Sequence, residues 1–240
     1  MTTFEGRTAL VTGASGGIGR RIAERLAAAG ATLALHYSSN AEPAEELASA
    51  LPKAAAFGAD LADAEAPDRL VDEVEAAFGP VDVLVANHGR SQIARLEQVD
   101  AAAFDEMLAV NLRAPFLLAR RIMPGMADRG FGRVLFMSSV AGLTGGIVGP
   151  HYAASKAGLH GLTHYLARRA AGDGVTVNAI APALIEDTGM LPGDPGALAT
   201  MIPVGRLGRP EEVADLALAM LRNGYMTNQV VSLDGGMHPR

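Results

Sequence analysis

Short apolar runs alternate with longer amphipathic stretches along almost the whole chain, and this alternation restricts the fold more than any other feature. Runs that are apolar throughout are typical of strands buried on both faces of a sheet. Their alternation with helical patterns predicts a parallel sheet with helices on both sides. Strands are predicted at 8–12, 32–36, 54–58, 81–87, 133–137, 176–180 and 230–233, and helices at 17–29, 42–51, 64–78, 101–128 with a bend near Pro115, and from 151 to about 171.

These elements predict a single Rossmann-type, doubly wound α/β domain over residues 1–240, with a parallel sheet of about seven strands. A chain of 240 residues is of the usual size for one large α/β domain, and 49% hydrophobic residues suffice for a sizeable core. The stretch 183–209 is the exception, because it is rich in Gly and Pro and has no clean period. It is predicted to be a long loop or lid beyond the sixth strand.

Composition excludes several classes of function. The chain has no cysteine, so it has neither disulfides nor a thiolate nucleophile. Its formal charge of -6, with no block of Lys and Arg, argues against a nucleic-acid partner. We find no signal peptide and no apolar run near the ~20 residues that span a bilayer, so no membrane association is expected. A cytoplasmic location is the expectation that follows.

A glycine-rich turn joins the first predicted strand to the first helix. In TALVTGASGGIGRRIAERLAAAG, residues 8–30, the glycines Gly13, Gly17 and Gly19 have the spacing G-x-x-x-G-x-G. Glycines there allow a tight turn and the close approach of a pyrophosphate, and the helix N-terminus offers free N–H groups to the phosphates. A strand before the turn and a helix after it make dinucleotide binding the preferred interpretation over an unrelated Gly-rich turn. No Gly-Lys-Ser/Thr follows, which disfavours a nucleoside triphosphate loop.

The end of the second strand indicates which dinucleotide is bound. An acidic residue there usually binds the ribose 2′-hydroxyl of NAD. Here Tyr37 stands near that position, followed by Ser38, Ser39 and Asn40. Without a carboxylate to repel a 2′-phosphate, and with hydroxyls able to bind one, the pattern favours NADP(H) over NAD(H). A strong cation for the phosphate is missing, because no Arg lies in 36–40 and position 16 is Gly; Arg20 and Arg21 are nearby in sequence.

Tyr152 and Lys156 lie four residues apart in HYAASK, at 151–156. Taken alone, this spacing more often means a half-exposed Tyr beside a solvated Lys than a catalytic pair. His160 and His164 repeat the spacing on the same helical stripe, but no Glu follows His160 as in H-E-x-x-H, so packing is preferred and no metal is predicted. His151 is a candidate for the substrate entrance.

The order of motifs resembles that of the short-chain dehydrogenases/reductases, and the resemblance covers essentially the whole chain. TGASGGIG at 12–19, ANHG at 86–89 and LDGG at 233–236 resemble three of that family's motifs, with His88 in place of the usual Ala. Ser139 precedes Tyr152 by thirteen residues, as the family pattern requires. The resemblance implies the catalytic residues Asn111, Ser139, Tyr152 and Lys156, and the cofactor contacts Gly13, Ser15, Gly16, Gly17, Ile18, Gly19, Tyr37, Ser38, Ser39, Asp60, Leu61, Asn87, Gly89, Tyr152, Lys156, Pro182 and Ile185.

The resemblance also implies a role for each catalytic residue. Tyr152 exchanges a proton with the carbonyl oxygen of the substrate, and Ser139 donates a hydrogen bond to that oxygen. A phenol is a poor acid or base near neutral pH, because its reference pKa is ~10. The cation of Lys156 is expected to lower that pKa and to hold the nicotinamide ribose. Asn111 is expected to hold a water that relays protons to Lys156. Ser138 is interpreted as a structural hydroxyl.

Within the family, the stretches 178–186 and 202–221 resemble bacterial 3-oxoacyl-[acyl-carrier-protein] reductases, which implies reduction of a 3-oxoacyl thioester. Arginines that dock the carrier protein in those enzymes would fall at Gly130 and Asp173, so this partner is doubtful. The family's Pro-Gly is here Pro182-Ala183, and its Thr at position 187 is shifted to Thr188. Another ketone, alcohol or sugar substrate, and a non-catalytic dinucleotide sensor or scaffold, remain alternatives. The resemblance implies a homotetramer, with the helices at 101–128 and 151–171 forming one interface.

Overall fold

A computed structural model describes residues 3–189, 191 and 193–238. Within this part of the chain, seven strands form one parallel sheet in the order β3-β2-β1-β4-β5-β6-β7. The strands are Thr8–Val11 (β1), Thr32–Tyr37 (β2), Ala54–Gly58 (β3), Val81–Ala86 (β4), Gly132–Met137 (β5), Val175–Pro182 (β6) and Val230–Leu233 (β7). The predicted doubly wound α/β fold is confirmed, and every strand lies within a few residues of its predicted position.

Helices cover both faces of the sheet. They are Gly17–Ala28 (α1), Glu42–Ala50 (α2), Ala66–Phe78 (α3), Ala101–Leu108 (α4), Ala114–Asp128 (α5), Ala141–Thr144 (α6), Pro150–Ala170 (α7), Pro195–Ala199 (α8) and Pro210–Arg222 (α9). Residues 109–113 form a turn of π-helix between α4 and α5, so the predicted bend lies just before Pro115. None of the helices in the described residues is long and apolar enough to cross a bilayer.

Alternate residues of the central strand β4 supply two separate apolar layers. Val83 and Val85 pack with α1 and α9 on one face, while Leu84 and Ala86 pack with α3, α5 and α7 on the other. All four are essentially excluded from solvent. Full burial of a Val or Leu side chain contributes roughly 1.5–3 kcal/mol, so a strand apolar on both faces is stable only at the centre of such a sheet.

Helix α9 was not assigned from the sequence, although its signals are present. Pro210 begins the helix, Glu211 and Glu212 lie in its first turn, and Arg222 lies in its last. The Glu212 carboxylate accepts a hydrogen bond from the Arg209 N–H at 2.8 Å. These are the residue types that favour each end of a helix. The predicted loop at 183–209 contains the short helix α8 and a bridge between Ile185 and Gly208, and its positions 190 and 192 lie outside the described residues.

The order of the strands by itself predicts where the functional site lies. β1 lies between β2 and β4, so the chain reverses direction across the sheet between β1 and β4. In doubly wound sheets, ligands bind in the crevice at the carboxyl ends of the strands at this reversal. The segments that follow β1, β4, β5 and β6 therefore meet at one edge of the sheet.

The connection from α7 to β6 provides a test of the packing. Gly174 has a positive φ of 76°, and a Cβ on it would lie 2.2 Å from the Gly130 carbonyl oxygen. We expect Gly174→Ala to lower the free energy of unfolding by about 2–4 kcal/mol, because it adds backbone strain to a steric clash. Gly172 has no heavy atom within 4 Å of its Cβ position, so Gly172→Ala is the matched control. Equal urea midpoints for the two variants would contradict this account.

Candidate active site

A cavity of about 590 Å³ opens at the carboxyl ends of the central strands. It brings together segments that are far apart in sequence: the glycine turn, the end of β4, the loop after β5, the start of α7 and the segment after β6. Of the predicted site residues, those that line it are Gly13, Ser15, Gly16, Gly17, Ile18, Asn87, Gly89, Ser139, Tyr152, Lys156, Pro182 and Ile185.

The glycine turn leaves no room for side chains. A Cβ on Gly19 would lie 2.2 Å from the Gly13 carbonyl oxygen, and one on Gly17 would lie 2.5 Å from the carbonyl oxygen of Asp187. Among the described residues, no side chain caps the N-terminus of α1 and no acidic residue stands in its first turn. The first N–H groups of a helix without a cap favour an anion. The turn therefore fits the pyrophosphate of a dinucleotide.

Five predicted cofactor residues lie outside this cavity, at the ends of β2 and β3. The ring of Tyr37 packs over Gly58, whose Cβ position is 2.8 Å from the Tyr37 hydroxyl, while Ser38 and Ser39 are exposed. The Asp60 carboxylate accepts a hydrogen bond from the Ala62 N–H at 3.0 Å, and Leu61 is buried. These five residues lie at the edge of the crevice, beyond the glycine turn, and do not line the cavity that contains Tyr152.

The two arginines near this edge already have partners. Arg20 forms ion pairs with Glu24 at 3.5 Å and Glu46 at 3.9 Å, and Arg21 pairs with Glu24 at 2.8 Å and Glu211 at 2.7 Å. Exposed pairs of this kind contribute only about 0–1 kcal/mol, so they can exchange for a stronger anion. In the structure, both guanidinium groups are therefore engaged by carboxylates rather than by Ser38 or Ser39.

Ser139, Tyr152 and Lys156 form one side of the cavity. Tyr152 and Lys156 lie one turn apart near the start of α7, and both are more than nine-tenths buried. The Ser139 hydroxyl is close enough to the Tyr152 hydroxyl to lower its pKa in part. The Lys156 ammonium donates to the Met137 carbonyl oxygen at 2.9 Å and lies 5.8 Å from the centroid of the Tyr152 ring. The three predicted catalytic groups thus converge where the cavity reaches the sheet.

Asn111 lies behind this side of the cavity rather than on it. Its amide nitrogen donates to the Arg90 carbonyl oxygen at 3.0 Å and to the Ser155 hydroxyl at 3.1 Å. Its amide oxygen accepts from the Arg90 N–H at 2.9 Å. Gly89 separates it from Lys156, because a Cβ on Gly89 would lie 3.3 Å from both the Asn111 oxygen and the Lys156 nitrogen. Asn111 is therefore tied to the segment after β4 and is close to Lys156.

Burial controls the ionisation of the Tyr152–Lys156 pair. It raises the pKa of Tyr152 above the ordinary value for a phenol, and the hydrogen bond from Ser139 only partly opposes this rise. Burial also lowers the pKa of Lys156 to about 8. Lys156 was expected to lower the pKa of Tyr152, whereas the net shift of that pKa is upward. Its cause is desolvation, which disfavours the charged form of both groups.

His160 and His164 on α7 lie within hydrogen-bond distance of other side chains. His160 Nε2 lies 2.7 Å from the Ser138 hydroxyl, which also donates to the Lys156 carbonyl oxygen at 3.0 Å. His164 Nδ1 lies 2.6 Å from the Asn228 side chain. His151 is fully buried and does not line the cavity, so its prediction as an entrance residue is wrong. In the described part of the chain, no three His, Asp or Glu side chains come close enough to hold a metal.

Much of the rest of the cavity is apolar, and sequence motifs did not identify it. Thr188 lines the cavity and Asp187 does not, and the sequence had indicated this shift of the threonine. The apolar residues of the lining were not identified from the sequence. They belong to three separate segments, so no local pattern marks them. These apolar residues are Ile147, Val148, Leu184, Leu191, Met201 and Met237.

Comparisons with known proteins agree with this site. Residues 7–194 match the family model described as short chain dehydrogenase. The acetoacetyl-CoA reductase of Rhizobium meliloti is 38% identical, covering 97% of this chain and 98% of that protein. The 3-oxoacyl-[acyl-carrier-protein] reductase FabG of Escherichia coli is 36% identical over 98% of both. A short-chain dehydrogenase/reductase from Serratia marcescens BCRC 10948 superposes with a TM-score of 0.92 at 33% identity, over 98% of this chain and 99% of that one.

The chain belongs to the short-chain dehydrogenase family. It is an NAD(P)-dependent oxidoreductase. The alternative of a non-catalytic sensor or scaffold is therefore rejected.

The lowered pKa of Lys156 predicts how stability changes with pH. Between about pH 8 and pH 10.5 the folded protein binds fewer protons than the unfolded chain. The free-energy cost of burying the charged Lys156 is therefore complete below pH 8 and decreases as the pH rises. We expect the stability of Lys156→Met relative to wild type to fall by roughly 2 kcal/mol between about pH 7 and pH 9.5. Urea unfolding measures it, and the exposed Lys53 gives the control Lys53→Met. A stability difference between wild type and Lys156→Met that does not change with pH would contradict the burial of a charged Lys156.

Proposed function

We propose that this enzyme uses NADP(H) to reduce a 3-oxoacyl thioester to the 3-hydroxyacyl form. One observation carries the proposal: Ser139, Tyr152 and Lys156 line the same cavity as the glycine turn. A donor pair for a carbonyl oxygen and a cradle for a pyrophosphate therefore share one space. When bound, the nicotinamide dinucleotide supplies the hydride. Residues of the glycine turn, Asn87, Gly89, Pro182 and Ile185 are proposed to hold it.

Tyr152 is proposed as the acid that protonates the carbonyl oxygen. Its raised pKa keeps the phenol protonated near neutral pH, which is the form needed to donate. The Ser139 hydroxyl, which lies beside that of Tyr152, is proposed to donate to the same oxygen and to orient the substrate. Two donors directed at one oxygen stabilise the negative charge that develops there, and they are most effective where water is excluded.

Lys156 is proposed to return a proton to Tyr152 after each turnover, and Asn111 to hold a water that relays protons to Lys156. Lys156, with a pKa of about 8, is able to give up and regain a proton near physiological pH. Asn111 lies across Gly89 from the Lys156 nitrogen, and its amide fixes the segment after β4. The positive charge of Lys156 also stabilises the phenolate that forms when Tyr152 donates its proton.

A preference for NADP(H) is supported at the end of β2. Tyr37, Ser38, Ser39 and Asn40 include no carboxylate, and the two serines are exposed. A 2′-phosphate would therefore meet hydroxyl groups rather than a negative charge. Arg20 is the nearest cationic candidate on α1, and it must leave its carboxylate partners Glu24 and Glu46 to bind a phosphate.

The apolar cavity supports an acyl chain or another apolar ketone better than a sugar. Apolar side chains from the loop after β5, the segment after β6 and the C-terminal segment converge there. A sugar needs several hydrogen-bonding partners, whereas much of this surface is apolar. Two relatives with full coverage are named for 3-oxoacyl thioester substrates, one carried by coenzyme A and one by a carrier protein.

Charge favours coenzyme A over a carrier protein. Gly174 lies against the Gly130 carbonyl, so Gly130 and Asp173 are neighbours on the surface, and neither supplies a cation. Arg129 donates to the Val81 carbonyl oxygen at 2.9 Å and lies 3.5 Å from Asp82. An acidic carrier protein would therefore meet the Asp173 carboxylate where a cation is required, and repulsion there weakens docking.

The direct test measures oxidation of NADPH and of NADH with acetoacetyl-CoA. We expect kcat/KM to be at least about tenfold higher with NADPH, and Tyr152→Phe to reduce kcat by more than about a hundredfold with little change in the Kd for NADPH. Loss of NADPH binding in Tyr152→Phe would mean that the residue supports the site rather than the chemistry. Turnover of other ketones but not of acetoacetyl-CoA would reject the thioester substrate.

We also propose a homotetramer in which α5 and α7 form one interface. Phe116 on α5 is 43% exposed and Tyr165 on α7 is 56% exposed, and large apolar side chains of this kind favour burial between subunits. Light scattering should give four times the chain mass of 24.7 kDa. Phe116→Asp and Tyr165→Asp should reduce it, while Lys53→Asp, at an exposed polar position, is the control. A monomeric mass for the wild type would refute the assembly.

A further inference from the structure

Val110, the residue before Asn111, has a carbonyl group with no helical hydrogen-bond donor. In an α-helix it would accept from the N–H of residue 114, but the Ala114 N–H donates instead to the Ala109 carbonyl in the π-turn. In a π-helix it would accept from residue 115, which is proline and has no N–H. The helix therefore leaves this acceptor open beside a catalytic residue.

His88 supplies the missing donor. Its Nε2 lies 3.0 Å from the Val110 carbonyl oxygen and its Nδ1 lies 2.7 Å from the Thr12 hydroxyl. A carbonyl oxygen only accepts, so the ring proton is on Nε2, and Nδ1 accepts from Thr12. Burial, the neighbouring His36 and the nearby charge of Lys156 lower the pKa of His88 to about 3, which keeps this arrangement at physiological pH.

The same ring links the two halves of the site. Thr12 precedes Gly13 in the glycine turn, and its hydroxyl also accepts from the N–H groups of Asn87 and His88. On the other side, the Val110 carbonyl precedes Asn111, whose amide binds Arg90. An unbroken series of hydrogen bonds thus runs from the dinucleotide-binding turn, through one imidazole, to the segment that carries Asn111.

We propose that His88 is a positioning residue that fixes the Asn111 segment against the dinucleotide-binding turn by donating to the Val110 carbonyl. The proposal concerns how the proposed active site is held and requires no particular substrate. An alanine at position 88 would leave Val110 without its donor, and the Thr12 hydroxyl would keep only the Val85 carbonyl oxygen, at 3.3 Å, as an acceptor. The segment 109–114 would then lose the contact that holds it to the turn.

Three substitutions separate hydrogen bonding from packing. His88→Gln keeps a side-chain N–H near the position of Nε2, within reach of Val110. His88→Asn places its polar group near Nδ1 and reaches only Thr12. His88→Ala removes both contacts. The Gln and Asn side chains are both uncharged amides, so they form a matched pair, and they decide the question even if the alanine variant does not fold.

Amide hydrogen exchange of residues 109–114 is the first readout, with and without NADPH, because it needs no turnover. We expect exchange to rise about tenfold in His88→Asn and His88→Ala and less than about threefold in His88→Gln, the effect expected for one hydrogen bond. NADPH binding, measured by its fluorescence, should remain in all three. Equal exchange in the Gln and Asn variants, or unchanged exchange in His88→Asn, would overturn the proposal.

Kinetics with a carbonyl substrate provide the second readout. At saturating NADPH, kcat should fall about tenfold in His88→Asn and recover in His88→Gln, with KM changing less than about threefold. A KM increase without a kcat change would place His88 in substrate binding and would overturn the positioning role. If acetoacetyl-CoA is not a substrate, the thioester assignment fails while the exchange result still decides the role of His88.

Discussion

The Thr12 hydroxyl holds together the carboxyl ends of β1 and β4, and the position of the site depends on this contact. It accepts the N–H groups of Asn87 and His88 at 3.0 and 3.2 Å and lies 2.7 Å from the His88 ring. The Asn87 side chain returns two hydrogen bonds, to the carbonyl oxygens of Thr12 and Gly13. The glycine turn and the segment leading to Asn111 are therefore fixed at the point where the strand order reverses.

Desolvation determines the charge state of the groups around this junction. Tyr152 and His88 are both kept neutral by burial, and the pKa of Lys156 is lowered to about 8. A low effective dielectric strengthens every interaction with a remaining charge. The site thus keeps a protonated phenol close to an ammonium that titrates near physiological pH. That combination suits the repeated transfer of a proton.

Elements with strong periodicity were predictable, and contacts through buried polar groups were not. The glycine spacing identified the turn, and the separation of Ser139 from Tyr152 identified two groups that line the same cavity. Helix α9 carried a readable pattern of end residues that was not assigned. The π-turn before Pro115 was predicted only as a bend. No residue pattern distinguishes the hydrogen bond of a π-helix, between residues i and i+5, from a simple kink.

The sequence by itself determined the layer architecture and the glycine turn, since these depend on local period and spacing, and its resemblance to the family's motifs indicated the candidate catalytic side chains. Only the tertiary structure decided their ionisation, because a pKa depends on how completely a group is buried and by what. It also decided that His88 binds Thr12 and Val110, and that the apolar cavity includes Met237 from the far end of the chain. Such contacts join residues that have no regular separation along the sequence.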